Sequence, residues 1–130
     1  MGYSISSIDE LGEGYGFQKV RRALGVTAFG VNAVVMPPHY EGFLHYHDTQ
    51  DELYFVHSGK ARVEVGDEVR ELGPGGMVHV ESTTPRRLSN AGDKPLVMLV
   101  VGGKGGYVDR DGHMLEEDDI ARRVAFGKSS

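Results

Sequence analysis

Three residues of types that bind metal ions lie close together near the middle of the chain: His45, His47 and Glu52. The aromatic and aliphatic residues around them are typical of strands, and alternate side chains of a strand point to the same side. We therefore expect the two imidazoles to face one point, with the carboxylate at the start of the next strand beside them. Two histidines and one carboxylate favour a divalent transition metal such as Fe, and Mn, Ni or Zn also accept these donors. The alternative interpretation places both histidines on the polar face of a strand, without a metal.

The composition argues against several classes of partner. The chain has 130 residues, a formal net charge of −5 and no cysteine. A domain of this size buries one core. Basic runs are short, which argues against a nucleic-acid partner, and the missing cysteines exclude disulfides and thiolate chemistry. The longest apolar run, 96–101, is far too short to span a membrane, and the N-terminus lacks the layout of a signal peptide. We expect a cytoplasmic protein with neither a nucleic-acid nor a membrane partner.

Short apolar runs separated by glycine-rich turns predict an all-β fold, either a sandwich or a barrel. Residues 60–65 alternate charged and apolar side chains, which predicts a half-buried strand that turns at Gly66 into the next one. Residues 96–101 are apolar at every position, which predicts a central strand of a sheet. No segment of helical length separates the strands, so a parallel α/β fold is disfavoured.

The two ends of the chain each predict one short helix. Phe17, Val20 and Leu24 recur at helical spacing, and a glycine follows them as a stop. Residues 115–126 have acidic residues first and basic residues last, an order that suits a helix dipole. We therefore divide the chain into an N-terminal arm with a short helix, a barrel, and a C-terminal strand or loop with a short helix packed on the same domain. These parts are residues 1–26, 27–101 and 102–130.

The order of the candidate ligands and of the residues that follow resembles the two sequence motifs of the cupin superfamily. The two histidines, the glutamate and Gly59 have the spacing of the first motif. The second motif is matched in order by Pro74-Gly75-Gly76, Val78-His79-Val80, Pro85-Arg86 and Asn90. The resemblance covers about residues 27–101. It implies a double-stranded β-helix, which is a jelly-roll barrel, with a metal in the lumen of many members. Many members are dimers, so a homodimer is expected.

Arg86 stands where the family has a histidine that is normally the fourth metal ligand. An arginine stays protonated and cannot bind a metal. Three interpretations remain open. In the first, the three remaining ligands hold a metal and Arg86 binds an anionic group of the substrate. In the second, Arg86 pairs with Glu52 in the metal's place and leaves a metal-free barrel. In the third, Arg86 faces outward as a surface charge.

Tyr54 lies on the same strand face as Glu52, so it is a candidate for substrate binding, with packing in the core as the alternative. His39 is the candidate replacement for the missing fourth ligand. Three further residues are expected outside the site, facing away from it or exposed to solvent: His57, His79 and Asp111.

Two functions follow from these residues. The first is a metal-dependent enzyme that acts on a small anionic organic molecule by oxygenation, isomerisation or decarboxylation. The second is a metal-free barrel without catalysis that binds a small ligand, with Arg86 paired to Glu52. The fold alone cannot decide between them, because one fold serves many chemistries.

Overall fold

The structure, a computed structural model, describes residues 2–116, which form two short helices and ten strands. The helices are α1 (Ile8–Leu11) and α2 (Val20–Leu24). The strands are β1 (Gly16–Gln18), β2 (Gly30–Met36), β3 (His45–His47), β4 (Asp51–Ser58), β5 (Ala61–Val65), β6 (Glu68–Leu72), β7 (Met77–Val80), β8 (Arg86–Asn90), β9 (Leu96–Gly103) and β10 (Gly112–Met114). Within residues 2–116, no helix has the length and apolar character that a membrane span requires.

The strands form two antiparallel sheets of five strands each. The first sheet has the order β1-β2-β9-β4-β7 and the second β10-β3-β8-β5-β6. Short runs of β-branched and aromatic residues favour strands, and the glycines and prolines between them favour turns over helices. The prediction of an all-β fold is confirmed.

Side chains from both sheets pack into one hydrophobic core. Val34 and Met98 contribute from the first sheet, and Val63 and Leu88 from the second. Phe43, in the segment that leads into β3, is buried in the same cluster. The core therefore lies between the sheets, and it includes Tyr54 and Val56 of β4 as well as the residue Phe43 ahead of β3.

The two strands with the clearest sequence patterns form as predicted. Ala61 and Val63 of β5 are buried while their charged neighbours are more accessible, and β5 pairs with β6 in a hairpin. The wholly apolar run 96–101 belongs to β9, which lies between β2 and β4 in its sheet. Leu96 and Met98 of β9 are buried, and Val97 and Leu99 on the other face are partly buried.

The N-terminal helix is shorter than the residue spacing suggests. Helix α2 begins at Val20 and ends before Gly25, whose φ of 70° provides a left-handed cap. Phe17 lies in β1 instead, opposite Val34, because this segment pairs with the edge of β2. Residues 117–130 lie outside the described residues, and most of the predicted C-terminal helix falls on them.

Gly42 has no room for a side chain. A Cβ at this position would lie 1.7 Å from the carbonyl oxygen of Leu88, and the amide of Gly42 donates to the hydroxyl of Ser89 at 3.0 Å. Backbone must therefore move to admit even a methyl group. We expect Gly42→Ala to lower the free energy of unfolding by about 3 kcal/mol, measured by urea unfolding.

The matched control is Gly73→Ala, because a Cβ at Gly73 meets no atom of the described residues within 4 Å. This control is expected to change the free energy of unfolding by less than about 1 kcal/mol. Equal stability of the two variants would show that Gly42 is not constrained as described.

Candidate metal centre

His45, His47 and Glu52 converge where the chain crosses from one sheet to the other. The histidines project from β3 in the second sheet, and the glutamate projects from β4 in the first. One ligand atom of each residue lies within 4.8 Å of the other two. The Nε2 atoms of His45 and His47 lie 3.9 Å and 3.0 Å from Oε1 of Glu52. The convergence expected from strand alternation is therefore present.

Each imidazole is oriented through its Nδ1 atom. Nδ1 of His45 lies 3.0 Å from the carbonyl oxygen of Phe43, and Nδ1 of His47 lies 2.8 Å from Oδ1 of Asp111. A carbonyl and a carboxylate only accept hydrogen bonds, so both Nδ1 atoms carry a proton. In the neutral imidazoles, both Nε2 atoms are then lone-pair donors directed at the site, which is the state in which histidine binds metal ions.

Nε2 of His47 is buried and has no hydrogen-bond partner among the described residues. It lies 3.0 Å from Oε1 of Glu52 but is not aligned for a hydrogen bond. A neutral imidazole and a carboxylate oxygen this close repel each other through their lone pairs, unless a cation is shared between them. The donor set therefore fits a metal ion, with a proton on His47 as the competing cation.

The charged groups around His47 favour a positive charge at this site. Burial alone acts to lower the pKa of His47, but the carboxylate of Glu52 and the hydrogen bond with Asp111 outweigh it and raise the pKa above its ordinary value. Burial likewise acts to raise the pKa of Glu52, whereas the neighbouring imidazoles of His45 and His47 outweigh it and hold that pKa well below its usual range. Glu52 is thus kept ionised as a ligand.

Arg86 lies beneath the site and has an exposed fraction of 0%. Its Nη2 donates to Oε1 of Glu52 at 3.0 Å, and its Nε donates to the hydroxyl of Tyr54 at 3.2 Å. Its Nη1 donates to the carbonyl oxygens of Ser82 and Thr84 at 2.9 and 2.8 Å. The outward-facing interpretation of Arg86 is therefore wrong. The ion pair with Glu52 is present, while the imidazole Nε2 atoms still face the same carboxylate.

The cavity above the site has a volume of about 490 Å³ and is lined by all three candidate ligands. Arg86 and Tyr54 are absent from its lining, and Tyr54 is only 5% exposed. Tyr54 donates its hydroxyl to Glu52 instead. The burial of Arg86 and Tyr54 offers a substrate no direct access, so their predicted contact with substrate stays a prediction without support from this geometry.

Asp111 belongs to the site, where it contacts His47, so the expectation that it is exposed to solvent is wrong. Besides the contact with His47, its carboxylate accepts hydrogen bonds from the amides of Thr49 and Gln50 at 2.7 and 2.9 Å and from the Gln50 side chain at 2.7 Å. Burial acts to raise the pKa of Asp111, but these hydrogen bonds outweigh it and hold the pKa well below its usual range. Asp111 directly precedes β10, which pairs with β3, so long-range strand pairing brings it to the site. No local sequence signal indicates this.

We expect Asp111→Asn to lower the affinity for a divalent transition metal by about 10- to 100-fold. The amide keeps the shape of the side chain but replaces one acceptor by a donor, so it cannot serve all of its partners or strengthen the basicity of His47. Competition against a chromophoric chelator measures the affinity. Asp109→Asn is the control, because Asp109 is exposed and, within the described part of the chain, accepts hydrogen bonds only from Tyr107 and the amide of Arg110. Equal affinities of the two variants would show that Asp111 does not orient His47 for a metal.

The other histidines lie away from the three ligands. His39, His57 and His79 are exposed, and none belongs to the cluster of candidate ligands. His39 lies in the turn after β2, with a φ of 59°. His113 stacks on Tyr46 and pairs with Asp48 at 2.8 Å on the surface. The expectations for His57 and His79 agree with this placement, and His39 does not supply a fourth ligand here.

The cupin domain family matches residues 32–102, which is more than half of the chain. This protein belongs to the cupin superfamily. An uncharacterised protein of Methanocaldococcus jannaschii is 28% identical over 65 residues, which cover 50% of this chain and 52% of the relative. The chain therefore aligns with about half the length of that relative.

Solved structures agree on the fold. A cupin protein from Bacteroides fragilis has a TM-score of 0.68 at 23% identity, covering 85% of this chain and 91% of that one. The DMSP lyase DddQ from Ruegeria pomeroyi has a TM-score of 0.60 at 27% identity, covering 68% of this chain and 43% of the lyase. The predicted double-stranded β-helix, or jelly-roll barrel, is confirmed.

Proposed function

We propose that this protein binds one divalent transition metal ion, Fe, Mn, Ni or Zn, through His45, His47 and Glu52. We further propose that it is an enzyme acting on a small anionic organic molecule in the cavity above them. The observation that carries the proposal is Nε2 of His47, which is buried, lacks a hydrogen-bond partner among the described residues and lies 3.0 Å from an ionised carboxylate. Oxygenation, isomerisation and decarboxylation remain the candidate reactions, and the similar fold of a lyase supports a catalytic role for this barrel.

The residues of the chain have distinct parts in this proposal. A bound metal would act as a Lewis acid or as a site for O₂. Asp111 holds the Nδ1 proton of His47 and so keeps Nε2 available as a donor. Arg86 and Tyr54 donate to Glu52 from below, which fixes the carboxylate and keeps it charged. The cavity of about 490 Å³ falls within the range for small-molecule sites, roughly 300–1,000 Å³.

The second candidate function is a metal-free barrel that binds a small ligand without catalysis. The ion pair of 3.0 Å between Arg86 and Glu52 favours it, because the guanidinium neutralises the carboxylate that a metal needs. A divalent ion and a guanidinium about 6 Å apart repel each other by roughly 5 kcal/mol at an effective dielectric constant near 20. The two imidazoles must offset this repulsion for the first function to hold.

Elemental analysis of protein purified without chelators and without an affinity metal tests the proposal. We expect about one transition metal ion per chain, or uptake of one ion when the chelator-treated protein is titrated with Zn, Mn, Ni or, without oxygen, Fe(II). Binding is expected to raise the midpoint of thermal unfolding, because a ligand that binds only the folded state stabilises it. Protein that is free of metal and refuses all four ions would overturn the first function and favour the second.

The homodimer and the cytoplasmic location stay predictions, as do the lack of a nucleic-acid partner and of a membrane partner. Light scattering on the purified protein tests the oligomeric state, and a mass of twice 14.2 kDa is the expected result.

A further inference from the structure

The cavity above the candidate ligands is positively charged, although the whole chain carries a net charge of −5. Four cationic side chains line it: Lys19, Arg21, Arg22 and Arg110. Among residues 2–116, only two carboxylates share the lining, Glu52 and Asp111, and both already accept hydrogen bonds from protein donors. The cations come from α2, from the residue before it and from the segment before β10, so the fold gathers them around one opening.

Arg21 has the geometry of an anion receptor. The carbon of its guanidinium lies 3.6 Å from the centroid of the Tyr107 ring, a contact that fixes the plane of the group. Its Nε is buried and has no hydrogen-bond partner among the described residues. A guanidinium held by its face keeps its N–H donors in the plane, where two of them match the oxygens of one carboxylate or phosphate. Unlike Arg86, the Arg21 side chain lines the cavity and is only partly buried, so an anion in the cavity can reach its guanidinium.

The lining of the cavity combines groups of different chemistry. It includes the imidazoles and Glu52, Arg21 and the other cations, and Asn32 and Gln50 as neutral polar groups. The apolar side chains of Phe43 and Val100 belong to the same lining. Such a lining suits a small molecule with one anionic group and a less charged body.

We propose that Arg21, stacked on Tyr107 and assisted by Arg110, binds a carboxylate or phosphate group of the ligand. The substrate would then carry a carboxylate or phosphate group. The role of this site in catalysis rests on the proposed metal-dependent function. Binding of the anion itself does not require the metal. The residue proposed to recognise the anion is thus Arg21 and not Arg86, because Arg21 lines the cavity and Arg86 does not.

Titration of the chelator-treated protein with inorganic phosphate and with malonate, followed by calorimetry at low ionic strength, tests this inference. We expect saturable binding of at least one of the two anions, which weakens as salt is added. The anion that binds more tightly identifies the group as phosphate or carboxylate. Arg21→Gln is expected to weaken that binding at least about tenfold, because hydrogen bonds between charged groups are lost. Arg21→Lys keeps the charge without the paired donors and is expected to fall between the two.

The control is Arg70→Gln, since the Arg70 side chain is 73% exposed on β6 and does not line the cavity. Arg110→Gln provides a second test at an exposed position should Arg21→Gln fail to fold, and it is expected to weaken anion binding several-fold. No saturable binding of either anion would overturn the inference. Unchanged binding in both the Arg21 and the Arg110 variants would do so as well.

Anion binding and metal binding can be tested separately. Zn titration of the unchanged protein is compared with anion titration of the Arg21 variants, since Arg21 is not a candidate metal ligand. Anion binding that depends on Arg21 in a protein that refuses metals would support this site and end the enzyme proposal. Metal uptake without anion binding would support the metal site and overturn the anion site at Arg21.

Discussion

Replacing His47 by alanine is expected to lower the affinity for a divalent transition metal by at least about 100-fold. The variant loses the donor atom that lies 3.0 Å from Glu52 and that the rest of the described structure leaves without a hydrogen bond. His45 and Glu52 alone offer only two donors, fewer than known sites for these metals use. Titration with Zn against a competing chelator measures the loss, and elemental analysis is expected to show much less than one ion per chain.

His57→Ala is the matched control. His57 lies on the same strand as Glu52, but its side chain is exposed and does not belong to the ligand cluster. Its removal is expected to leave metal affinity unchanged. Since His47 is 9% exposed and contacts Asp111, thermal unfolding must show that the His47 variant is folded. A folded His47→Ala protein that binds Zn as tightly as the control would remove His47 from the site, and His45→Ala then tests whether any histidine of β3 binds the ion.

Replacing Arg86 by methionine is expected to lower the free energy of unfolding by about 3–5 kcal/mol, the usual loss when one partner of a buried ion pair is removed. The guanidinium has an exposed fraction of 0% and donates to two backbone carbonyls, to Tyr54 and to Glu52. Methionine fills a similar volume but donates to none of these acceptors, so they lose partners inside the protein. Urea unfolding measures the change.

Arg70→Met is the control for Arg86→Met, because the Arg70 side chain is 73% exposed and its ion pair with Glu68 contributes little. A loss of less than about 1 kcal/mol in Arg86→Met would mean that the buried hydrogen bonds of Arg86 do not stabilise the fold. The same variant reports on the metal. If Arg86 opposes a divalent ion by its charge, the folded fraction of Arg86→Met is expected to bind Zn more tightly than the unchanged protein.

Much of the fold and the three candidate ligands could be predicted because their signals are local. Strand alternation has a period of two residues, so it places His45 and His47 on one side without reference to the rest of the chain. The charged and apolar alternation of 60–65 and the apolar run 96–101 are equally local, and both became strands of the expected kind. The resemblance of the two motifs then supplied the jelly-roll topology, which alternation alone does not specify.

The tertiary structure decided which residues surround these ligands. Asp111 contacts His47 across 64 positions of sequence, and Arg86 contacts Glu52 across 34. Neither contact follows from periodicity, because each depends on which strands pair and on which side of the sheet the residue emerges. Of the three interpretations of Arg86 that the sequence left open, the structure shows the pair with Glu52, and a contact with substrate stays a prediction.

Arg21 belongs to a short basic run without a predicted role in the site, since its stacking on Tyr107 arises only when α2 and the segment before β10 meet at one opening. By itself the sequence thus determined the strands and the ligand types. Their partners, and hence the charge and access of the site, came from the packing of segments that are distant along the chain.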